Sequence, residues 1–157
     1  MTSTDYKLLD SQLHALLDDE PDALAAASNF VALLYGAMDN INWLGIYVLR
    51  GDELVLGPFQ GKPACVHIAL DEGVCGAAAA TLETQRVADV HAFPGHIVCD
   101  PDSRSELVVP LLVHDKLIGV LDIDSPVTRR FSQDDQQGVE KLCASFCALQ
   151  EKRKYFI

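Results

Sequence analysis

The sequence lacks the features that would direct a protein to a membrane or to nucleic acid. None of its 157 residues belongs to an apolar run as long as the about 18 residues that span a bilayer. Its N-terminus has no basic start followed by an apolar stretch, so we expect no signal peptide and a cytoplasmic protein. Only 12 Lys and Arg stand against 23 Asp and Glu, a net charge of −11. Because phosphate backbones bind basic surfaces, we expect no nucleic-acid partner, and the lack of a spanning apolar run predicts no membrane partner.

Motifs for cofactors and metals are also missing. There is no G-x-x-x-x-G-K-[ST], and "GVCG" is too short to be a dinucleotide fingerprint, so no cofactor is expected. No C-x-x-C occurs, which excludes a zinc knuckle and a thioredoxin motif. His91, His96, Cys99 and Asp100 are metal-ligand types, but H-x4-H-x2-C is not a standard zinc spacing and no second ligand pair is evident. We therefore predict no metal.

What is present is enough apolar material, 49% of the residues, for the core of one domain of ordinary size. The patterns predict, in order, two helices, a hairpin, a short helix, a loop, a second hairpin and a last helix. Strands joined by hairpins imply an antiparallel sheet with helices on a face, an α+β domain. The landmarks are Pro21 opening the second helix, a turn at Gly51-Asp52, a short strand around 66–68, a helix from about Val74, a possible short strand at Val87, an irregular stretch at 89–105, a turn at 114–116, and a capping box of Ser132 and Asp135.

The five cysteines fall into two groups. Cys143 and Cys147 lie four residues apart on or beside the apolar stripe of the last helix, which predicts core packing. Cys65, Cys75 and Cys99 lie in or beside segments rich in Gly and Pro, which suggests one wall of a pocket and a shared redox site. Cys75 also lies at the predicted start of a helix, where the macrodipole would lower the pKa of its thiol.

Two carboxylates end an apolar strand in "GVLDIDSP". Asp122 and Asp124 are two residues apart, so they face the same side of the sheet. An exposed strand end would explain them, but a pair aimed into a pocket could bind an ammonium group. Close carboxylates do not both ionise easily, so one could also hold a proton. Glu106, at the start of the preceding strand, could join them.

Six segments together resemble the free methionine-(R)-sulfoxide reductases, which are single-domain GAF proteins. They are "NWLGIY", "LGPFQGKPAC", "GVCG", "DVHAFPGHIVCD", "SRSELVVPL" and "GVLDIDSP". The resemblance as a whole runs from about Asn42 to Phe131. The resemblance implies one GAF domain over residues 1–157, an antiparallel sheet with the N- and C-terminal helices on one face and a ligand pocket on the other. It also implies a homodimer.

The same resemblance implies reduction of the R-sulfoxide of free L-methionine. Cys99 matches the family's nucleophile and Cys65 its resolving thiol, with a sulfenic acid and a disulfide as intermediates and thioredoxin as the reductant. Two roles are open for Cys75: its place at the predicted start of a helix makes it a rival nucleophile, and it could be a second resolving thiol. A GAF domain that senses a small ligand or redox state without turnover is the alternative.

The resemblance assigns five further residues to the pocket. Glu106 and Asp124 are the candidates for protonating or holding the sulfoxide, which requires carboxyl groups of raised pKa. Asp122 is the candidate for the substrate ammonium group. Trp43 and Tyr47 lie four apart in a strand and so share a face, where they would pack against the substrate methyl group and thioether stem, or simply form core.

Overall fold

The computed structural model describes residues 3–153, and the order of its elements is the predicted one. The predicted boundaries of 1–157 thus include residues 1, 2 and 154–157, which lie outside the described residues. The elements are α1 (Tyr6–Leu17), α2 (Ala23–Ala37), β1 (Trp43–Arg50), β2 (Glu53–Gly61), β3 (His67–Ala69), α3 (Gly73–Thr81), β4 (Gln85–Val87), a 3₁₀ helix (Val90–Ala92), β5 (Ser105–Val113), β6 (Lys116–Ser125) and α4 (Gln133–Gln150).

The six strands form one sheet in the order β3-β2-β1-β6-β5-β4, and every neighbouring pair is antiparallel. Both predicted hairpins are confirmed. Gly51 takes a φ of +64° in the first turn. In the second turn His114 and Asp115 both have positive φ, at 51° and 60°, the combination that the right-handed twist of paired strands favours in a two-residue turn.

One face of the sheet is covered by the terminal helices, as expected. Alternate residues of β1 point to this side: Leu44, Ile46 and Val48 join the core formed with α1, α2 and α4. The stacked rings of Phe30 and Phe146, whose centroids are 4.5 Å apart, link α2 to α4 within that core. This layer fixes the sheet and leaves the opposite face for α3 and the loops.

The opposite face carries a second, smaller apolar cluster, to which Trp43 and Tyr47 of β1 contribute. Helix α3 lies here because it is made of small residues: a Cβ added to Gly76 would lie 2.7 Å from the carbonyl oxygen of Ala69. The close approach of α3 to β3 closes one side of a pocket between α3, the sheet and the 93–104 loop.

Three features of the structure differ from the predicted ones. Helix α2 begins at Ala23 rather than at Pro21, because the Asp22 carboxylate accepts a hydrogen bond from the Ala25 N–H (2.8 Å) and so caps the helix two residues later. The short third strand is shifted by one residue, to His67–Ala69. The irregular stretch from 89 contains a 3₁₀ helix whose N-terminus is capped by the Asp89 side chain.

The cap of α4 is confirmed. Ser132 Oγ accepts from the Asp135 N–H (3.0 Å) and Asp135 accepts from the Ser132 N–H (2.9 Å), a reciprocal capping box. Over residues 3–153, no helix is long and apolar enough to cross a membrane.

Candidate active site

The sheet register places three carboxyl groups on the pocket face. Asp124 of β6 lies directly opposite Glu106 of β5 on one side and Trp43 of β1 on the other. In the next row of that face, Asp122 lies between Gly45 of β1 and Val108 of β5. The predicted convergence of Glu106, Asp122 and Asp124 is therefore a consequence of strand pairing, and all three side chains line the pocket.

These acids are shielded from solvent. Glu106 and Asp122 are each only 6% exposed, and Asp124 is partly exposed. Burial raises the pKa of Glu106 and of Asp124 well above the ordinary value, and the negative charge of Asp122 raises the pKa of both further. Burial also raises the pKa of Asp122. Hydrogen bonds with Glu106 and Cys75 offset part of that rise, so Asp122 is the first of the three to ionise, and the pocket favours neutral Glu106 and Asp124 groups that can donate a proton.

One carboxylate oxygen is left without a partner. Oδ1 of Asp122 is buried and makes no hydrogen bond to any of the described residues. A buried acceptor without a donor costs free energy, on the order of 1–3 kcal/mol. A ligand that brings a donor such as an ammonium group into the pocket would remove this cost.

Cys65 and Cys99 form a disulfide at the edge of the pocket. It joins the loop after β2 to the loop before β5, across 34 positions of sequence, with the two Cα atoms 5.5 Å apart. Cys99 lines the pocket itself, and both residues are partly exposed. The hydroxyl of Tyr47 donates to the backbone carbonyl of Cys65 (2.9 Å), which anchors this end of the disulfide to the sheet.

Cys75 is in the pocket as a free thiol, and the prediction of a lowered pKa is wrong. The residue is 5% exposed, and Sγ lies 3.9 Å from Oε1 of Glu106. Burial raises the pKa of the thiol well above the ordinary value, and the charges of Asp122, Glu106 and Asp124 raise it further. These effects exceed that of the α3 N-terminus, so Cys75 is a poor source of thiolate.

The aromatic wall is built on β1. The rings of Trp43 and Tyr47 stack with centroids 5.8 Å apart, and Trp43 stacks on Phe59 at 5.4 Å. The Trp43 indole N–H donates to the carbonyl oxygen of Lys62 (3.0 Å), which fixes the ring. Gly45 makes room for it: a Cβ there would lie 2.9 Å from Cζ3 of Trp43. Both predicted aromatic residues are thus buried and line the pocket.

Comparison with known proteins gives a consistent result. The GAF domain family model matches residues 10–150. Free methionine-R-sulfoxide reductase of Escherichia coli is 49% identical over 154 residues, 96% of this chain and 93% of that protein. The chain belongs to the free methionine-R-sulfoxide reductases.

Solved structures of free methionine-R-sulfoxide reductases have the same fold as this chain. The reduced form of fRMsr from Staphylococcus aureus is 50% identical, covers 95% of this chain and 99% of its own, and has a TM-score of 0.90. The enzyme of Neisseria meningitidis in complex with its substrate is 38% identical, covers 97% and 94%, and has a TM-score of 0.91. The predicted α+β GAF fold and the assignment to an oxidoreductase family are therefore confirmed.

The other two cysteines of this reductase lie away from the pocket. Cys143 and Cys147 are buried in the core between α4 and the sheet, on the opposite face. Burial raises the pKa of both thiols, that of Cys147 to about 12. Their predicted packing role is confirmed.

Sequence reasoning missed the residues that hold the Cys99 loop in place. The Asn42 amide donates to Oδ2 of Asp100 and to Oγ of Ser103, both at 3.4 Å, and its backbone N–H donates to the carbonyl oxygen of Asp124 (2.9 Å). Lys62 Nζ lies 3.1 Å from Oδ2 of Asp102. Asn42 opens the motif "NWLGIY", but only these hydrogen bonds show that it joins the Cys99 loop to the acidic strand.

The pocket also contains a group of potential metal ligands and one histidine. Cys75, Glu106 and Asp122 each offer a ligand atom, and these atoms lie within 4.8 Å of one another. The structure therefore groups different residues from the His91, His96, Cys99 and Asp100 set weighed from the sequence. His96 lines the pocket, and burial lowers its pKa, which favours a neutral imidazole.

Proposed function

We propose that this protein reduces free L-methionine-(R)-sulfoxide to L-methionine, with Cys99 as the nucleophile. The observation that carries the proposal is the Cys65–Cys99 disulfide beside a pocket lined by three carboxyl groups of raised pKa. Sulfoxide reduction needs a thiol that accepts oxygen, a second thiol that removes it, and acids that remain protonated. The names of the relatives from Escherichia coli and Saccharomyces cerevisiae support the same substrate.

In the first step the Cys99 thiolate attacks the sulfoxide sulfur. Negative charge develops on the sulfoxide oxygen, and Glu106 or Asp124 supplies a proton to it. The oxygen is then transferred to Cys99, which becomes a sulfenic acid while the substrate leaves as methionine. The carboxyl groups must be neutral for this role, and their burial in the pocket supports it.

In the second step the Cys65 thiol attacks the sulfenic acid. A disulfide forms and one water leaves, so the two electrons that reduced the sulfoxide come from the two thiols. Reduced thioredoxin then restores both thiols. Cys75 is a reserve resolving thiol in this scheme, because its raised pKa makes it a weaker nucleophile than an exposed thiol.

Selectivity for the free amino acid follows from the buried acceptor on Asp122. We assign the substrate ammonium group to this oxygen, since no described residue donates to it. The faces of Trp43 and Tyr47 would contact the methyl group and the thioether stem. A peptide-bound methionine sulfoxide has no free ammonium group, so Asp122 would remain unpaired, and rejection of such a substrate by orders of magnitude is expected.

A coupled assay tests the proposal. The protein is mixed with thioredoxin, thioredoxin reductase, NADPH and one substrate at a time: free L-methionine-(R)-sulfoxide, its S epimer, or the R-sulfoxide within a short peptide. NADPH consumption with the free R epimer alone supports the proposal. Stable binding of the sulfoxide without NADPH consumption would instead support a ligand sensor.

We propose three further properties. We expect a single GAF domain over residues 1–157 that works in the cytoplasm as a homodimer. Sedimentation equilibrium of the purified protein gives the oligomeric state directly. A mass of one chain at micromolar concentration would contradict the dimer.

A further inference from the structure

Two exposed valines flank the disulfide. Val66 directly follows Cys65 and is 51% exposed, and Val98 directly precedes Cys99 and is 60% exposed. Neither side chain lines the substrate pocket. The pocket and the apolar core therefore do not account for these two side chains, whereas their place next to the two disulfide cysteines in the chain suggests a role.

The segments that carry the two valines are also uncharged, whereas Asp100, which directly follows Cys99, lines the substrate pocket and accepts a hydrogen bond from Asn42. Residues 63–70 and 90–99 contain no Asp, Glu, Lys or Arg, although the protein has 23 acidic and 12 basic residues. In these segments Pro63, Pro94 and Gly95 are exposed together with the two valines. A strongly acidic protein thus carries five exposed residues without charge in the segments next to its disulfide cysteines, and we call these five the collar: Pro63, Val66, Pro94, Gly95 and Val98.

We propose that this collar, centred on Val66 and Val98, is the docking surface for a dithiol protein whose reactive cysteine is surrounded by apolar residues. The inference rests on the proposed function, which requires a reductant for the Cys65–Cys99 disulfide. Both cysteines are only partly exposed, so the thiolate of a partner protein can reach a sulfur atom only if the partner contacts the neighbouring residues. An uncharged collar lets an apolar face approach without burying unpaired charge, which would weaken binding.

The chemistry on this surface is thiol–disulfide exchange. The partner's thiolate bonds to one sulfur of the disulfide, and the S–S bond breaks to release the other cysteine as a thiolate, which takes up a proton. The partner's second thiol loses its proton and attacks the mixed disulfide. The partner leaves oxidised by two electrons, and Cys65 and Cys99 are both thiols.

Paired reductants separate docking from chemistry. Val66→Asp and Val98→Asp are compared with Leu24→Asp, which puts the same charge on a side chain 63% exposed on α2, on the opposite face of the sheet. The reductant for each variant is either thioredoxin or dithiothreitol, a small dithiol that can reach the sulfur atoms without covering the collar. We expect the KM for thioredoxin to rise about tenfold or more in the two collar variants. Rates with dithiothreitol should change less than twofold, and Leu24→Asp should match the unmodified protein.

An unchanged KM for thioredoxin in both collar variants overturns the proposal, and so does an equal loss with both reductants. If the unmodified protein turns over no sulfoxide with either reductant, the proposed function fails instead. Docking is then measured without substrate, as the rate at which reduced thioredoxin releases thiols from the oxidised protein. A rate about tenfold lower for Val98→Asp supports the collar, and an equal rate contradicts it.

Discussion

Glu106 and Asp124 face each other across the β5–β6 pair, on the side of the sheet that carries the pocket. Each is buried enough that its pKa is raised, and the charge of Asp122 raises both further. Like charges directly opposite each other on paired strands are unfavourable, so the two carboxyl groups are most stable when protons remain between them. This makes the pair a store of protons in the pocket that Cys99, the proposed nucleophile, also lines.

Replacing Glu106 by Gln should lower kcat about 10²-fold or more, the range expected when a general acid is lost. Glutamine keeps the size of the side chain but has no proton to transfer. The matched control is Glu83→Gln, at an exposed position outside the pocket. Steady-state kinetics with free L-methionine-(R)-sulfoxide checks it, and a kcat equal to that of the control would contradict the assignment.

The pH dependence follows from the direction of the pKa shift of Glu106. Because the neutral form donates the proton, kcat should fall as pH rises through the raised pKa. The stability of the protein should also fall as pH rises. Above the unfolded-state pKa of about 4.3, Glu106 keeps its proton only in the folded state, so the free energy of unfolding falls as pH rises toward the folded-state pKa. Glu106→Gln should thus stabilise the protein more at pH 8 than at pH 5 in urea unfolding.

Single-turnover analysis should distinguish the role of Cys65 from that of Cys75. Cys65→Ser should release one methionine per chain from the reduced protein and then stop with thioredoxin, because the sulfenic acid lacks its main partner. Cys75→Ser should retain most of the thioredoxin-dependent rate, since its thiol is free and its pKa is raised. Mass spectrometry of trapped peptides checks both variants. Loss of methionine formation in Cys75→Ser would make Cys75 the nucleophile.

Asp122→Asn should raise the KM for the free amino acid about tenfold to 100-fold, with a smaller effect on kcat. The variant loses the negative charge that we propose faces the ammonium group, and such a charge-assisted contact is worth about 1.5–3 kcal/mol. Asp115→Asn serves as the control because Asp115 is an exposed turn residue with a φ of 60°, which Asn tolerates. An effect on kcat alone would move Asp122 from substrate binding to proton transfer.

Tyr47→Phe should slow disulfide formation while leaving the first methionine released largely intact. The hydroxyl holds the Cys65 carbonyl at 2.9 Å, and loss of such a bond is worth about 1 kcal/mol, or several-fold in rate. Stopped-flow measurement of thiol loss after mixing with substrate separates the two steps. Equal slowing of both steps would place the hydroxyl on the substrate instead.

Much of the fold could be predicted from the sequence because the signals are local. The turns at Gly51 and His114 and the capping box at Ser132 depend on a few adjacent residues, and all three are confirmed. The start of α2 was misplaced because an Asp cap and a Pro compete within two residues. The shared face of Asp122 and Asp124 follows from the period of a strand, whereas the position of Glu106 opposite Asp124 needs the register.

The site was less accessible to sequence reasoning where long-range burial outweighs a local effect. The position of Cys75 at the start of α3 predicts a lowered pKa, but burial of the thiol, together with the charges of Asp122 and Glu106 on the sheet, raises the pKa instead. The family resemblance implies the pairing of Cys65 with Cys99, because the spacing of the three pocket cysteines does not show which two form a disulfide. The loop contacts of Asn42 join segments 58 and 61 positions apart, and no periodicity reports them.

The central claim is tested most directly by one turnover without added reductant. Fully reduced protein is mixed with excess free L-methionine-(R)-sulfoxide, methionine is quantified, and the cysteines are mapped by mass spectrometry after alkylation. We predict one methionine for each Cys65–Cys99 disulfide formed, and no methionine from Cys99→Ser. Methionine release by Cys99→Ser, or a disulfide containing Cys143 or Cys147 in place of the Cys65–Cys99 bridge, would contradict it.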